Sequence, residues 1–215
     1  QWQVTLARKD NSIATISKKL RIFRSYINRA RRQGKIRTDP FENIKIKRPK
    51  GKKEYLTESE LRKLIELYHR EGLMDGHRKV LRYFLFSCFT GLRIQDVKKL
   101  SMSMIVGDTI VMIPKKTKNI NNETVKIPLC KPAKELIRDA GTTWSINPIF
   151  PSLSDQKTND YIKDCAKLVK IKKRLTFHVS RHTFATLFLE KTSDVATLQK
   201  LLGHASITQT MEYAH

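Results

Sequence analysis

Three groups of residues near the end of the chain could do chemistry together: His178, Arg181 and His182; Leu202-Gly203-His204; and Tyr213. A phenol can attack phosphorus, an imidazole can move its proton, and a planar guanidinium can meet charge on phosphoryl oxygens with paired hydrogen bonds. These are the groups required to attack and stabilise a phosphodiester without a metal. Each also has a plainer reading. His178 and His182, four residues apart, suggest a zinc pair. The intervening Val179, Ser180 and Arg181 offer no carboxylate, however, and a guanidinium beside a dication is unfavourable, so zinc is rejected. His182, followed by Thr183-Phe184-Ala185, reads as a packed, hydrogen-bonded core residue. His204 could merely satisfy helix carbonyls, and Tyr213 could be an ordinary amphipathic core side chain on a weakly anchored chain end.

Upstream, Arg93 follows Thr90-Gly91-Leu92 at the end of an apolar stretch, and Asp96 is close enough to pair with it across one helical turn. A structural Arg93–Asp96 bridge is the plainer reading here too. Lys115, Lys116 and Lys118 lie in a polar loop, where lysines are usually solvated.

Charge points to the partner. The 215 residues carry 43 Lys and Arg against 20 Asp and Glu, a net +23. Such an excess costs self-repulsion that a polyanion relieves, with nucleic acid ahead of an acidic membrane surface. Residues 1–54 alone hold 17 basic and 4 acidic side chains, which marks a separate DNA-facing module. The apolar stretch Tyr83–Phe89 is too short to span a bilayer, and no signal peptide is visible. Cys88, Cys130 and Cys165 are odd in number and scattered, which fits neither a disulfide framework nor a zinc cluster and points to a reduced cytoplasmic setting.

The elements that must position these groups follow from pattern. Ile13, Ile16, Leu20, Phe23, Ile27 and Ala30 form one face of a helix, with Lys18, Lys19, Arg24, Arg31 and Arg32 mostly off it and Gly34 as its cap. Residues 49–54, including Lys50, Lys52 and Lys53, read as a basic linker. Thr57 and Glu60 form a capping box that opens a helix to His69. An apolar helix spans about 78–90. Strands are expected at 104–106, 109–113 and 124–128, with a basic loop between the last two. Further helices start at Lys131-Pro132, span 155–169, and fill the remainder, with Gly203 ending the one that begins near Asp194. The fold class is therefore mainly α with a small three-stranded antiparallel sheet.

Taken in order, Thr90-Gly91-Leu92-Arg93, a hairpin lysine before Thr117, His178-x-x-Arg181, Leu202-Gly203-His204 and Tyr213 resemble the tyrosine recombinase (phage integrase) family, of the bacterial mobile-element integrase or transposase type. The resemblance covers residues 55–215 as the catalytic domain. It makes 1–48 the C-terminal part of a helical core-binding domain, with its N-terminal helices and the catalytic domain's C-terminal tail expected to be absent. It implies Tyr213 as nucleophile, Arg93 and Arg181 on the scissile phosphate, and His204 donating to that phosphate. His178 would accept the tyrosine proton, Lys116 would protonate the leaving 5′-oxygen, and Asp96 would orient Arg93. The implied activity is site-specific strand exchange through a 3′-phosphotyrosine and a Holliday junction, with no cofactor and no metal. The implied partners are double-stranded DNA attachment sites, three further copies in a homo-tetramer on synapsed DNA (a monomer when free), and accessory DNA-bending or directionality proteins. The expected location is the bacterial cytoplasm, at the nucleoid. A type IB topoisomerase-like enzyme and a catalytically inactive architectural DNA-binding protein are the alternatives.

Overall fold

A computed structural model describes residues 11–46, 53–115, 124–139, 148–150 and 153–214. The chain divides into two compact units, Gln1–Lys52 and Lys53–His215. The division falls inside the expected linker, so Lys53 and Glu54 go with the second unit.

In the first unit, α1 (Ile13–Arg32) starts at Ser12, whose hydroxyl accepts the Thr15 N–H at 3.2 Å. It buries Ser17 and Leu20, whereas Ile13, Phe23 and Tyr26 stay exposed. The apolar stripe is thus less covered than its spacing implies. Phe23 meets the buried Phe41 edge-on, with ring centroids 5.7 Å apart. Arg24 and Arg31 lean toward Asp39, at 3.9 and 3.4 Å, while Lys18, Lys19 and Arg32 are exposed.

The second unit is built around α3 (Asp75–Thr90), which buries Val80, Leu81, Tyr83, Phe84, Leu85, Phe86 and Cys88. A helix apolar on nearly every side must be enclosed. Around it pack α2 (Glu58–His69), α5 (Lys131–Arg138), α6 (Asp155–Leu168) and α7 (Phe177–Thr192). The expected capping box is present in α2: Thr57 Oγ1 accepts the Glu60 N–H while the Glu60 carboxylate accepts the Thr57 N–H. A four-residue helix, α4 (Ile94–Val97), follows the turn after α3.

The sheet has order β1-β2-β3 and is antiparallel throughout: β1 (Ile105–Val106), β2 (Thr109–Met112) and β3 (Val125–Pro128). Ile110 stands opposite Ile127 and Met112 opposite Val125, so one face enters the core while Lys126 points to solvent. The last helices are α8 (Val195–Leu202), which packs on β3, and α9 (Ile207–Met211). Ala185, Leu189, Leu198, Leu202 and Tyr213 form a smaller core of their own. Tyr213 is therefore held by packing at 6% exposure, which corrects the expectation of a weakly anchored end.

Candidate functional site

Two glycines bring distant residues together. Gly91 ends α3 in a left-handed conformation (φ 68°). A Cβ there would lie 2.5 Å from Phe184 and 2.9 Å from Leu202, so only glycine lets α3 approach α7 and α8 so closely. Beside it, Ser87 donates to the Leu92 carbonyl at 2.7 Å and lies 2.6 Å from the Ser180 hydroxyl on α7. These contacts fix the turn that delivers Arg93 at the N-cap of α4. Gly203, with φ 58°, closes α8 in the same way and leaves His204 in the turn beyond.

Arg181 sits at the centre, 4% exposed. Its Nη1 donates to the Gly91 carbonyl at 2.7 Å and its Nη2 to the Leu202 carbonyl at 2.7 Å, so both glycine-bearing turns hang on one guanidinium. Nη2 is also 3.0 Å from His204 Nε2. A guanidinium only donates, so this imidazole nitrogen accepts, and His204 Nδ1–H donates to Thr210 Oγ1 at 2.9 Å. In this arrangement His204 supports Arg181. Donation from the same nitrogen to a phosphate requires that contact to be exchanged.

Burial and the neighbouring Arg93 charge push Arg181 down to about 9, still a cation at neutral pH. Arg93 is lowered by burial, and its Nη1 is buried with no hydrogen-bond partner among the described residues. The Arg93–Asp96 bridge is not formed. Asp96 (2% exposed) instead accepts the Lys115 N–H at 2.9 Å, at the exit of β2. A backbone donor left unpaired there would cost roughly 1–3 kcal/mol, which explains where the carboxylate goes. Asp96 thus holds the base of the lysine hairpin and acts on Arg93 only through its field. Lys116 itself, with Lys50 and Lys52, lies outside the described residues.

At the hydroxyl of Tyr213 the structure differs most from expectation. The partner 2.9 Å away is Nδ1 of His182, the histidine read as core, and not His178. His178 is exposed on the preceding turn of α7, its ring edge-on to His182 with centroids 4.4 Å apart. Burial, then the charges of His178, Lys53 and Arg181, lower His182 to about 4, so its ring is neutral at pH 7.

Lys53 is the second surprise. It pairs with Glu212 at 2.5 Å and its ammonium stands 4.1 Å from the centre of the Tyr213 ring. Its segment is fastened to the same helix, where the Leu56 N–H donates to Thr183 Oγ1 at 2.9 Å. Lys53 therefore serves the chain end that carries Tyr213, not an extended linker. Exposed ion pairs contribute little, but an ammonium over an aromatic face contributes about 0.5–2 kcal/mol. Lys53→Met is expected to speed amide hydrogen exchange at 210–214 by roughly fivefold, the equivalent of about 1 kcal/mol, with Lys53→Arg near wild type. Unchanged protection in the methionine variant would remove Lys53 from this role.

Arg93, Arg181, His204 and Tyr213 are thus drawn together, with His182 and Lys53 added and Asp96 tied to the hairpin base. Tyr213 lies within electrostatic range of both arginines. Comparison with known proteins identifies the fold and the family. Tyrosine recombinase XerC of Thermodesulfovibrio yellowstonii is 26% identical over 96% of this chain and 73% of the relative. The integrase of transposon Tn1549, solved in complex with a circular intermediate DNA, superposes with a TM-score of 0.79 at 17% identity, over 99% of this chain and 78% of that one. A lambda integrase dimer bound to a COC′ core site gives 0.76 at 19% identity, over 100% and 77%. The phage integrase family matches residues 54–215, and the chain belongs to that family, the tyrosine recombinases.

Proposed function

We propose that this recombinase cuts and rejoins DNA strands at specific sites, with Tyr213 forming a covalent 3′-phosphotyrosine and strand exchange passing through a Holliday junction. The observation that carries the reading is the arginine pair. Arg93 and Arg181 lie in each other's repulsive field, and among the described residues neither is ion-paired to a carboxylate and the buried Arg93 Nη1 has no hydrogen-bond partner. Two such cations are costly unless an anion completes the site. A phosphodiester supplies the missing charge and acceptors, and gains most in the transition state, when its non-bridging oxygens carry extra charge.

Tyr213 stands beside that pair as the nucleophile. His204 and Arg181, already in contact, act on the phosphate as a unit. Lys116 is the proposed donor of the proton that the leaving 5′-oxygen needs, its hairpin base held by Asp96. His178 is the exposed member of the motif, with its ring against His182. The phosphotyrosine conserves the bond energy, so the 5′-hydroxyl of a partner strand reverses the step without ATP.

The exposed Lys18, Lys19 and Arg32 of α1, joined by Arg24 and Arg31, suit phosphate contact along a duplex, as do Lys50 and Lys52. The DNA named with the Tn1549 and lambda integrases supports double-stranded attachment sites as substrate, and the lambda integrase dimer on its core site supports assembly of more than one copy on DNA. A tetramer on synapsed DNA is the assembly that strand exchange between two such sites calls for.

The test begins by selecting a binding duplex from a random-sequence pool with this protein. A nicked suicide substrate is then built on the selected site and incubated without divalent metal, and the covalent adduct is peptide-mapped. Adduct at Tyr213 on a 3′-phosphate is expected. Absence of adduct, or attachment elsewhere, would overturn the reading.

A further inference from the structure

We propose that His182, rather than the motif histidine His178, accepts the Tyr213 proton during strand cleavage. The proposal rests on the cleavage reading above and deepens it. A general base must lie within about 2.6–3.2 Å of the proton's heavy atom, and His182 Nδ1, at 2.9 Å from the Tyr213 hydroxyl, meets that requirement. The phenol is held at this reach: the ring is packed in the smaller core, and Lys53 covers its face while pairing with the adjacent Glu212. His178 meets His182 edge-on, one turn earlier on the same helix.

The surroundings of His182 govern when it can act. On its own helix it faces His178 and Arg181; from the segment before α2 it faces Lys53; from the chain end it faces Tyr213 and Glu212. Burial and the cations make the ring a weak proton binder, so at neutral pH it is uncharged and can take up a proton. A scissile phosphate entering beside Arg93 and Arg181 offsets that positive field and strengthens proton binding at His182. The phenol oxygen, as it bonds to phosphorus, loses its hold on the same proton. Transfer is thereby tied to the arrival of DNA.

The step balances. The Tyr213 O–P bond forms as the phosphorus–5′-oxygen bond breaks, and the phenol proton passes to His182 Nδ1. The departing 5′-oxygen takes a proton from the hairpin lysine. In rejoining, a 5′-hydroxyl attacks and gives its proton back to the hairpin lysine, the phenol oxygen leaves phosphorus, and His182 returns the proton to it. No oxidant or co-reactant is required.

The test uses the full chain and the nicked suicide duplex built on the pool-selected site. A matched duplex carries a 5′-bridging phosphorothiolate, whose thiolate leaves without needing a proton. His182→Ala, and His182→Asn, which keeps a hydrogen-bonding group but no base, are compared with wild type for single-turnover adduct formation from pH 4 to 8. DNA affinity and thermal melting are followed alongside. Both variants are expected to lose about 100-fold or more in rate, the usual contribution of a positioned base, with DNA affinity within about threefold of wild type. The phosphorothiolate should not restore them, because the missing function is on the attacking side. Wild type should slow toward acid as His182 protonates, and His182→Asn should lack that limb.

A His182→Asn rate within about threefold of wild type, or rescue by the sulfur leaving group, would overturn the proposal. So would a wild-type rate that stays flat to pH 4, a result that needs no variant. Failure of wild type to form any adduct would instead overturn the cleavage reading, and this proposal with it.

Discussion

Tyr213→Phe is expected to abolish the covalent adduct while leaving DNA binding within about twofold of wild type. The substitution removes one oxygen from a side chain that otherwise stays in place. The ring keeps its packing against the smaller core, and the Lys53 ammonium keeps its aromatic face. What is lost is the nucleophile and one hydrogen bond to His182, which contributes about 0.5–1.5 kcal/mol to folding. For a chain of this size that shifts the melting temperature by only a few degrees, at roughly 2–4 °C per kcal/mol. Binding draws on counterion release along the basic surface and does not depend on the phenol oxygen. Denaturing gels on the suicide duplex, read against a binding isotherm at fixed salt, separate the two. Adduct at wild-type yield would remove Tyr213 as nucleophile. Binding lost together with the adduct would show that Tyr213 organises the DNA surface itself.

The fold was largely legible in the sequence because its signals are local. Thr57 and Glu60 announce a helix start three residues apart, Pro132 suits a first turn, and Gly107-Asp108 between two short apolar runs marks the β1–β2 hairpin. The Gly203 turn is legible for the same reason. Left-handed backbone at a helix end is a demand on a single residue. The site was legible only as an ordered set of residue types, and its internal contacts were not. Helical spacing pairs Asp96 with Arg93, yet the carboxylate answers the Lys115 N–H, a partner 19 residues away that becomes adjacent only once the chain folds back from β2. Lys53 reaches Glu212 across 159 residues, and nothing in a run of linker lysines marks Lys53 as a partner for the chain end. His182 is more instructive. Its position one turn after His178 is evident, but the pattern around it favours a packed core residue over a zinc ligand and gives no sign of a base. A helical turn that presents two histidines on one face also presents two candidate bases, and the choice between them depends on where the chain end packs.

Arg181 carries the second large effect, and here catalysis and folding must be separated. Arg181→Ala removes a phosphate ligand and also strips the Gly91 and Leu202 carbonyls of their donors inside a nearly dry site. Each orphaned carbonyl costs roughly 1–3 kcal/mol, on top of the cavity left by the side chain. The turns delivering Arg93 and His204 are expected to loosen together, with cleavage lost and the melting temperature down by about 10 °C. That outcome alone does not distinguish a catalytic from an architectural role. Arg181→Lys does. The ammonium retains the charge and can satisfy one or two acceptors, but it cannot hold both carbonyls and a phosphate oxygen in one plane. Stability is expected to recover to within about 2 kcal/mol of wild type, while single-turnover cleavage stays down by about a hundred- to a thousandfold, the usual loss for one transition-state donor. Lysine restoring both stability and rate would mean that the site needs only positive charge at this position. Lysine restoring neither would assign Arg181 to the architecture of the two turns, leaving Arg93 as the guanidinium that meets the phosphate.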